Sequence, residues 1–159
     1  MSAAALTDVR LPTTQDTFEF GRRLAGILRR GDLIVLTGPL GAGKTVVVKG
    51  IGAGLNVVGT VVSPTFVIAR VHRDGRIPLV HVDAYRLGSL AEVDDLDLDS
   101  ASIDAADAVT VVEWGAGLVE QLADAHLAVT IDRAEDTEIR HATVAAHGGD
   151  WAERLRALG

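Results

Sequence analysis

The chain predicts a single α/β domain spanning residues 1–159, built on a mixed, mostly parallel sheet flanked by helices. Three observations predict it. Gly38-Pro39-Leu40-Gly41-Ala42-Gly43-Lys44-Thr45 fills every position of the phosphate-loop pattern GxxxxGK[ST]. That stretch lies between an apolar, β-prone run, Leu33 to Leu36, and a segment from Thr45 to Ile51 that continues for about two turns without a turn signal. Further apolar runs of strand length recur downstream, and 159 residues at 48% apolar suffice for one well-buried domain but not for two substantial ones.

Strand, glycine loop and helix is the order a phosphate cradle needs. Successive backbone N–H groups converge on one oxyanion, and the helix that follows points its positive end at it. Gly38, Leu40, Gly41, Ala42 and Gly43 would form the cradle, with Val46 in the next turn. Lys44 would neutralise β- and γ-phosphate charge, and Thr45 would offer its hydroxyl to Mg²⁺. Lys44 and Lys49 are the only lysines, so a lysine here is no by-product of lysine-rich composition. Pro39 removes one N–H near the loop's entry, away from the glycines, and no loss of binding is expected from it. A glycine-rich turn that binds nothing is the competing reading, and the flanking strand and helix argue against it.

Composition bounds the function classes. A formal charge of −7 argues against tight unaided binding to nucleic acid, so any RNA role calls for a partner. The chain has no cysteine, which excludes disulfides, thiolate metal sites and cysteine nucleophiles. Histidines 72, 81, 126, 141 and 147 lack metal-ligand spacing. No run is long enough to span a bilayer and Met1 to Leu11 has no signal-peptide pattern, so a cytoplasmic protein is the expectation.

In chain order, Thr13-Thr14 opens a helix expected over Gln15 to Arg30, with Phe18, Gly21, Leu24, Ala25 and Leu28 on one face and Gly31 as its stop. Its main role would be to pack on the sheet, with the Thr13/Thr14 entry a candidate contact to the nucleotide base. Gly50, Gly52 and Gly54 are expected to terminate and fray the loop helix. Val57 to Val62 leads to Ser63-Pro64-Thr65-Phe66, where Pro64 restrains the backbone and presents Thr65 from a turn, placed to sense γ-phosphate and Mg²⁺. A threonine satisfying its own turn is the alternative. Phe66 to His72 and Ile77 to Val82 flank Arg73-Asp74-Gly75-Arg76, a hairpin signal that makes the sheet mixed. The second strand ends in Asp83, a candidate metal-side acid or a turn starter, and His81 interrupts its apolar pattern.

The acidic segment Ser89 to Ser102 lacks calcium-loop order and reads as a solvated or partner-facing surface. Ala108 to Val112 is a buried strand ending in Glu113-Trp114. There Glu113 is either positioned to orient an attacking water or simply an exposed strand end. Leu127 to Ile131 and His141 to Ala146 are two more strands around Asp132 to Arg140, and Asp150 to Leu158 is a closing helix.

Gly38 to Thr45, Ser63-Pro64-Thr65-Phe66, His81-Val82-Asp83-Ala84-Tyr85-Arg86-Leu87 and Val112-Glu113-Trp114, in this order, resemble the TsaE (YjeE) family, the ATPases of bacterial tRNA threonylcarbamoyladenosine synthesis. The resemblance implies a phosphate-loop NTPase fold and one ATPase domain that uses ATP and Mg²⁺. It also implies TsaD and TsaB as partners, with tRNA met indirectly through them, and transfer chemistry that belongs to TsaD. Carried over by position, Lys44 is the phosphate lysine, Thr45 the Mg²⁺ hydroxyl and Thr65 the switch threonine. Asp83 is the second acid on the metal side, and Glu113 with Trp114 the second switch, Glu113 being a metal-side candidate as well. Thr14 and Arg140 fall near positions that look like nucleotide contacts. Pro39 stands where the family commonly has an acid, and Val46 where it has a second threonine.

The rival readings are a small-molecule kinase, which would need an arginine-bearing lid, and a scaffold that binds nucleotide without turning it over. A GTP-regulated module would carry Asn-Lys-x-Asp, which this sequence lacks.

Overall fold

The structure is a computed structural model that describes residues 6–38, 43–57, 69–72, 75–83, 107–113, 125–133 and 139–158. Its described elements run β1 (Leu6–Leu11), α1 (Thr14–Ala25), β2 (Leu33–Thr37), α2 (Lys44–Gly54), β3 (Ala69–His72), β4 (Leu79–Asp83), β5 (Val109–Glu113), β6 (His126–Arg133), β7 (Arg140–His147) and α3 (Trp151–Leu158). The strands form one seven-stranded sheet of order β1-β7-β6-β2-β5-β4-β3. Strands β6, β2, β5 and β4 are mutually parallel, and β7, β1 and β3 add antiparallel pairings at the two margins. This is the mixed α/β sheet expected from the sequence, parallel through the four strands from β6 to β4.

The central strands are apolar without alternation because both faces are covered: all five residues of β5 are buried, as are Ile34, Val35 and Leu36 of β2. Alternate residues separate the two faces. Ile34, Leu36, Leu79, Val109, Val111, Leu127 and Val129 join the core that contains Val47, Val48 and Ile51 of α2 and Phe20 and Leu24 of α1. The helix-bearing face of the sheet is therefore the one onto which the odd-numbered positions of β4 and β5 project.

Helix α1 starts where expected. Thr13 is its N-cap in a complete capping box with Asp16. It ends earlier than Arg30, at Ala25 with Gly26 as C-cap, because the chain is drawn into a turn in which the Asp32 carboxylate accepts the Arg29 N–H. Its buried stripe is Thr17, Phe20, Gly21 and Leu24, with Phe18 only half-buried.

The expectation that Gly50 and Gly52 fray the loop helix is corrected: both are buried inside α2, which runs on to Gly54. Gly50 lets two helix backbones touch. A Cβ on Gly50 would lie 2.1 Å from the Phe18 carbonyl oxygen, and one on Gly21 would lie 2.2 Å from that of Val47. The β3–β4 hairpin pairs His72 with Leu79 as the Asp-Gly signal implied. Its Arg76 then donates to the carbonyls of Ala25 and Gly54, the last residues of α1 and α2. Strand β1 was not anticipated: Leu6-Thr7-Asp8-Val9-Arg10-Leu11 is short and half polar, and only its pairing with β7, Leu6 opposite Ala145, makes it a strand.

Among the described residues no helix is long and apolar enough to cross a membrane.

Candidate functional site

The sheet's connectivity brings the chemistry-bearing residues to one edge. Because β2, β4, β5 and β6 are parallel, Thr37, Asp83, Glu113 and Arg133 all close their strands there. Strand β7 runs the other way, so its first residue, Arg140, lies at the same edge, in register with Arg133 on one side and Leu11 on the other. Gly38 leaves β2 into the loop and α2 returns from it. This is the carboxyl end of an open parallel sheet, where ligands bind.

The start of α2 differs from that of α1. Whereas Thr13 and Asp16 occupy the first amides of α1, α2 begins at Gly43 with no side-chain cap and no acid in its first turn. The positive end of an 11-residue helix, with no side-chain cap and no acid over it, favours an anion there. Gly43 has φ 109°, a conformation disfavoured for any residue with a Cβ. It is also crowded: a Cβ there would meet Arg140 Nε at 2.9 Å and Thr17 Cγ2 at 3.5 Å. Lys44 is buried, and its Nζ donates to the Gly38 carbonyl at 2.6 Å, spanning the two ends of the loop. Thr45 is half-buried one residue further on. These features fit a phosphate chain with its Mg²⁺, which is commonly held by one or two protein oxygens plus phosphate oxygens.

The acids close β5 and β4, the next two strands along from β2, at the edge where the loop leaves it. Glu113 is in register with Leu36 of β2 on one side and Asp83 of β4 on the other. Glu113 is only 6% exposed, so the reading of it as an exposed strand end does not hold. It continues the Val109, Val111 alternation and so lies on the face that carries α2. Its Oε2 is hydrogen-bonded to Nε2 of His81, itself fully buried. Sequence reasoning passed over His81 as a flaw in β4. The signal was a lone histidine in an apolar strand, two residues before an acid and hence at the same-face position.

Of the other expected site residues, Arg140 is placed against Gly43 as described. Thr14 is exposed in the first turn of α1, and it is Thr17, one turn on, that faces the loop. Val46 is half-buried in α2. Leu40, Gly41, Ala42, Thr65 and Trp114 lie outside the described residues, as do Pro39 and the acidic segment Ser89 to Ser102.

The family model described as "Threonylcarbamoyl adenosine biosynthesis protein TsaE" matches residues 11–142. The chain belongs to the TsaE family. Among its relatives, a tRNA threonylcarbamoyladenosine biosynthesis protein TsaE of Streptomyces coelicolor is 58% identical over 84% of this chain and 93% of its own length. The protein of the same name from Mycobacterium tuberculosis is 49% identical over 84% and 83%, and that from Bacillus subtilis 38% over 89% and 87%. The crystal structure of Bacillus subtilis YdiB superposes with a TM-score of 0.82 at 30% identity, covering 99% of this chain and 97% of that one. The TsaE family match and this likeness assign the phosphate-loop NTPase fold, and membership places the chain in a family of tRNA threonylcarbamoyladenosine biosynthesis.

A second polar cluster occupies the opposite edge. Asp32, just before β2, accepts two hydrogen bonds from Arg154 at 2.7 and 2.9 Å, and Arg154 also reaches Asp150 and stacks 3.8 Å over the Trp151 ring. The hydrogen bond that Arg154 donates to Asp32 raises the guanidinium's pKa against its desolvation, so it stays charged. The cluster pins α3 to the sheet and lies far from the loop.

Proposed function

We propose that the protein binds ATP with Mg²⁺ at the Gly38–Thr45 loop and hydrolyses it slowly by itself. In this reading, hydrolysis supports turnover of a cytoplasmic assembly with TsaB and TsaD that forms threonylcarbamoyladenosine on tRNA, and tRNA is met through those partners. One arrangement carries it: α2, which follows β2, starts without a side-chain cap and with the buried Lys44 as its first residue, and on the adjacent β5 the buried Glu113 is in register with Leu36 of β2.

Lys44, withdrawn from the Gly38 carbonyl, would take the β- and γ-phosphate oxygens. Thr45 and Asp83 are the groups to hold Mg²⁺, which when bound would offset charge developing on the phosphates. Glu113 has Oε2 engaged by His81, leaving Oε1 to accept a hydrogen bond from the attacking water. Assigning that carboxylate to water gives the metal side to Thr45 and Asp83. Thr65 would report the γ-phosphate to a partner, and Arg140 would lie along the loop's outer flank.

The test is ATP hydrolysis by the purified protein, alone and with TsaB, TsaD and tRNA, with Lys44→Ala as the blank. Stimulation by the partners that vanishes in Lys44→Ala supports the reading. Brisk partner-independent turnover, or none under any condition, overturns it in favour of a kinase or a non-hydrolysing scaffold. Glu113→Ala is expected to lower turnover roughly a hundredfold with nucleotide affinity retained.

A further inference from the structure

We infer that His81 is a positioning residue for hydrolysis: its imidazole fixes the rotamer of Glu113 so that the free carboxylate oxygen faces the water at the phosphate loop. This rests on the reading of Glu113 as the water-side carboxylate.

Three observations carry it. His81 is fully buried in the middle of β4 between Val80 and Val82, also buried, where a β-branched apolar residue would satisfy the strand at no polar penalty. Its Nε2 meets Glu113 Oε2, while its Nδ1 has no hydrogen-bond partner among the described residues. The ring therefore serves one polar group there and is not a node of a wider structural network. Lastly, register sets the direction. His81 is opposite Val111 and Asp83 opposite Glu113, so the imidazole reaches diagonally along the helix-bearing face to the acid one step nearer the loop.

An ionised carboxylate only accepts, so Nε2 carries the hydrogen and donates. A glutamate side chain has three rotatable bonds, and a donor on Oε2 selects one of its conformers and leaves Oε1 as the remaining acceptor. An ångström of misplacement at a water-orienting group is worth roughly a hundredfold in rate. The effect belongs in kcat, because Glu113 touches the water and Lys44 and Thr45 carry the nucleotide.

Gln and Asn separate this role from simple packing. The Gln amide reaches about as far as Nε2 and the Asn amide does not, although the two share one chemistry. In hydrolysis assays with TsaB and TsaD, His81→Leu and His81→Asn are expected to lose roughly ten- to a hundredfold in kcat, with KM for ATP within about twofold of wild type. His81→Gln should restore most of the rate. In a Glu113→Ala background, His81→Leu should cost nothing further. Independently of hydrolysis, the Nε2 resonance of nitrogen-15-labelled His81 in the nucleotide-free protein should shift in Glu113→Gln.

Equal rates for the Gln and Asn variants, a full additional loss in the Glu113→Ala background, or an unmoved His81 resonance would each overturn the positioning role. Hydrolysis lost in Glu113→Ala but kept in His81→Leu would overturn it while sparing the water reading. Full hydrolysis by Glu113→Ala removes the water reading itself, and the inference with it.

Discussion

Gly50→Ala tests the seam that seats the phosphate-loop helix. A Cβ at this position would stand 2.1 Å from the Phe18 carbonyl oxygen, 3.0 Å from Gly21 Cα and 3.1 Å from Arg22 N, all backbone atoms. An ordinary carbon–oxygen contact needs roughly 3.4 Å, and backbone in a helix has no rotamer with which to yield. The two helix axes must therefore part by about an ångström, which loosens the contacts of Phe20, Leu24, Val47 and Ile51. Overpacking of this kind costs ~1–3 kcal/mol, and with no flexible neighbour the upper end applies. Replacing glycine by alanine inside a helix returns about 1 kcal/mol. The net expectation is a loss of about 2 kcal/mol. For a chain of this size that is a fall in Tm of roughly 4–8 °C by calorimetry. Gly26→Ala is the control: Gly26 is exposed at the end of α1, and its Cβ would meet only Arg23 O of its own turn at 3.2 Å, so its stability should change by less than about 0.5 kcal/mol. A Gly50→Ala protein as stable as wild type, or more so, would refute the close approach. The double variant Gly21→Ala/Gly50→Ala should lose less than the two singles summed, because one separation of the helices relieves both contacts.

Other consequences concern the loop and the opposite edge. Gly43→Ala forces a Cβ into a left-handed conformation, at roughly 1–2 kcal/mol, and into Arg140; nucleotide affinity, measured by titration calorimetry, should fall far more than thermal stability. Arg154→Met leaves the Asp32 carboxylate buried without its guanidinium and should cost about 3 kcal/mol in urea unfolding, part of it recovered in Asp32→Asn/Arg154→Met. Asp150 has a folded-state pKa below the ordinary aspartate value: desolvation pushes it up, but the charges of Arg154 and Arg29 and the Arg154 hydrogen bond together outweigh that. A depressed carboxylate pKa stabilises the fold above the unfolded value and loses that contribution as pH falls through the folded one. Tm measured across acid pH should thus decline below about pH 4, less steeply in Asp150→Asn, and the difference should shrink in high salt.

Much of the fold was legible because it is written locally. Runs such as Leu33 to Leu36 and Val109 to Val112 are apolar enough to be buried strands in any context, Thr13-Thr14 announces a helix start, and Asp74-Gly75 announces a hairpin. What escaped depends on residues far apart in sequence. β1 is a strand because β7 offers it a partner some 135 residues away. Gly50 looks like a helix breaker until Gly21 is set against it, and α1 stops at Ala25 because Asp32 and Arg76 claim the backbone beyond it.

The site divides in the same way. By itself the sequence determined the phosphate-loop pattern with its lysine and threonine, which rests on consecutive residues whose backbone geometry is set by glycine and by the order of strand and helix, and the family, which rests on four short motifs read in order. Only the tertiary structure decided that Glu113 is buried rather than exposed, that Arg140 and Thr17 crowd Gly43, and that His81 is the partner of Glu113. Spacing along one strand says which face a residue takes, but the neighbour it meets there is chosen by strand order and register, which hydrogen bonding across the whole sheet sets.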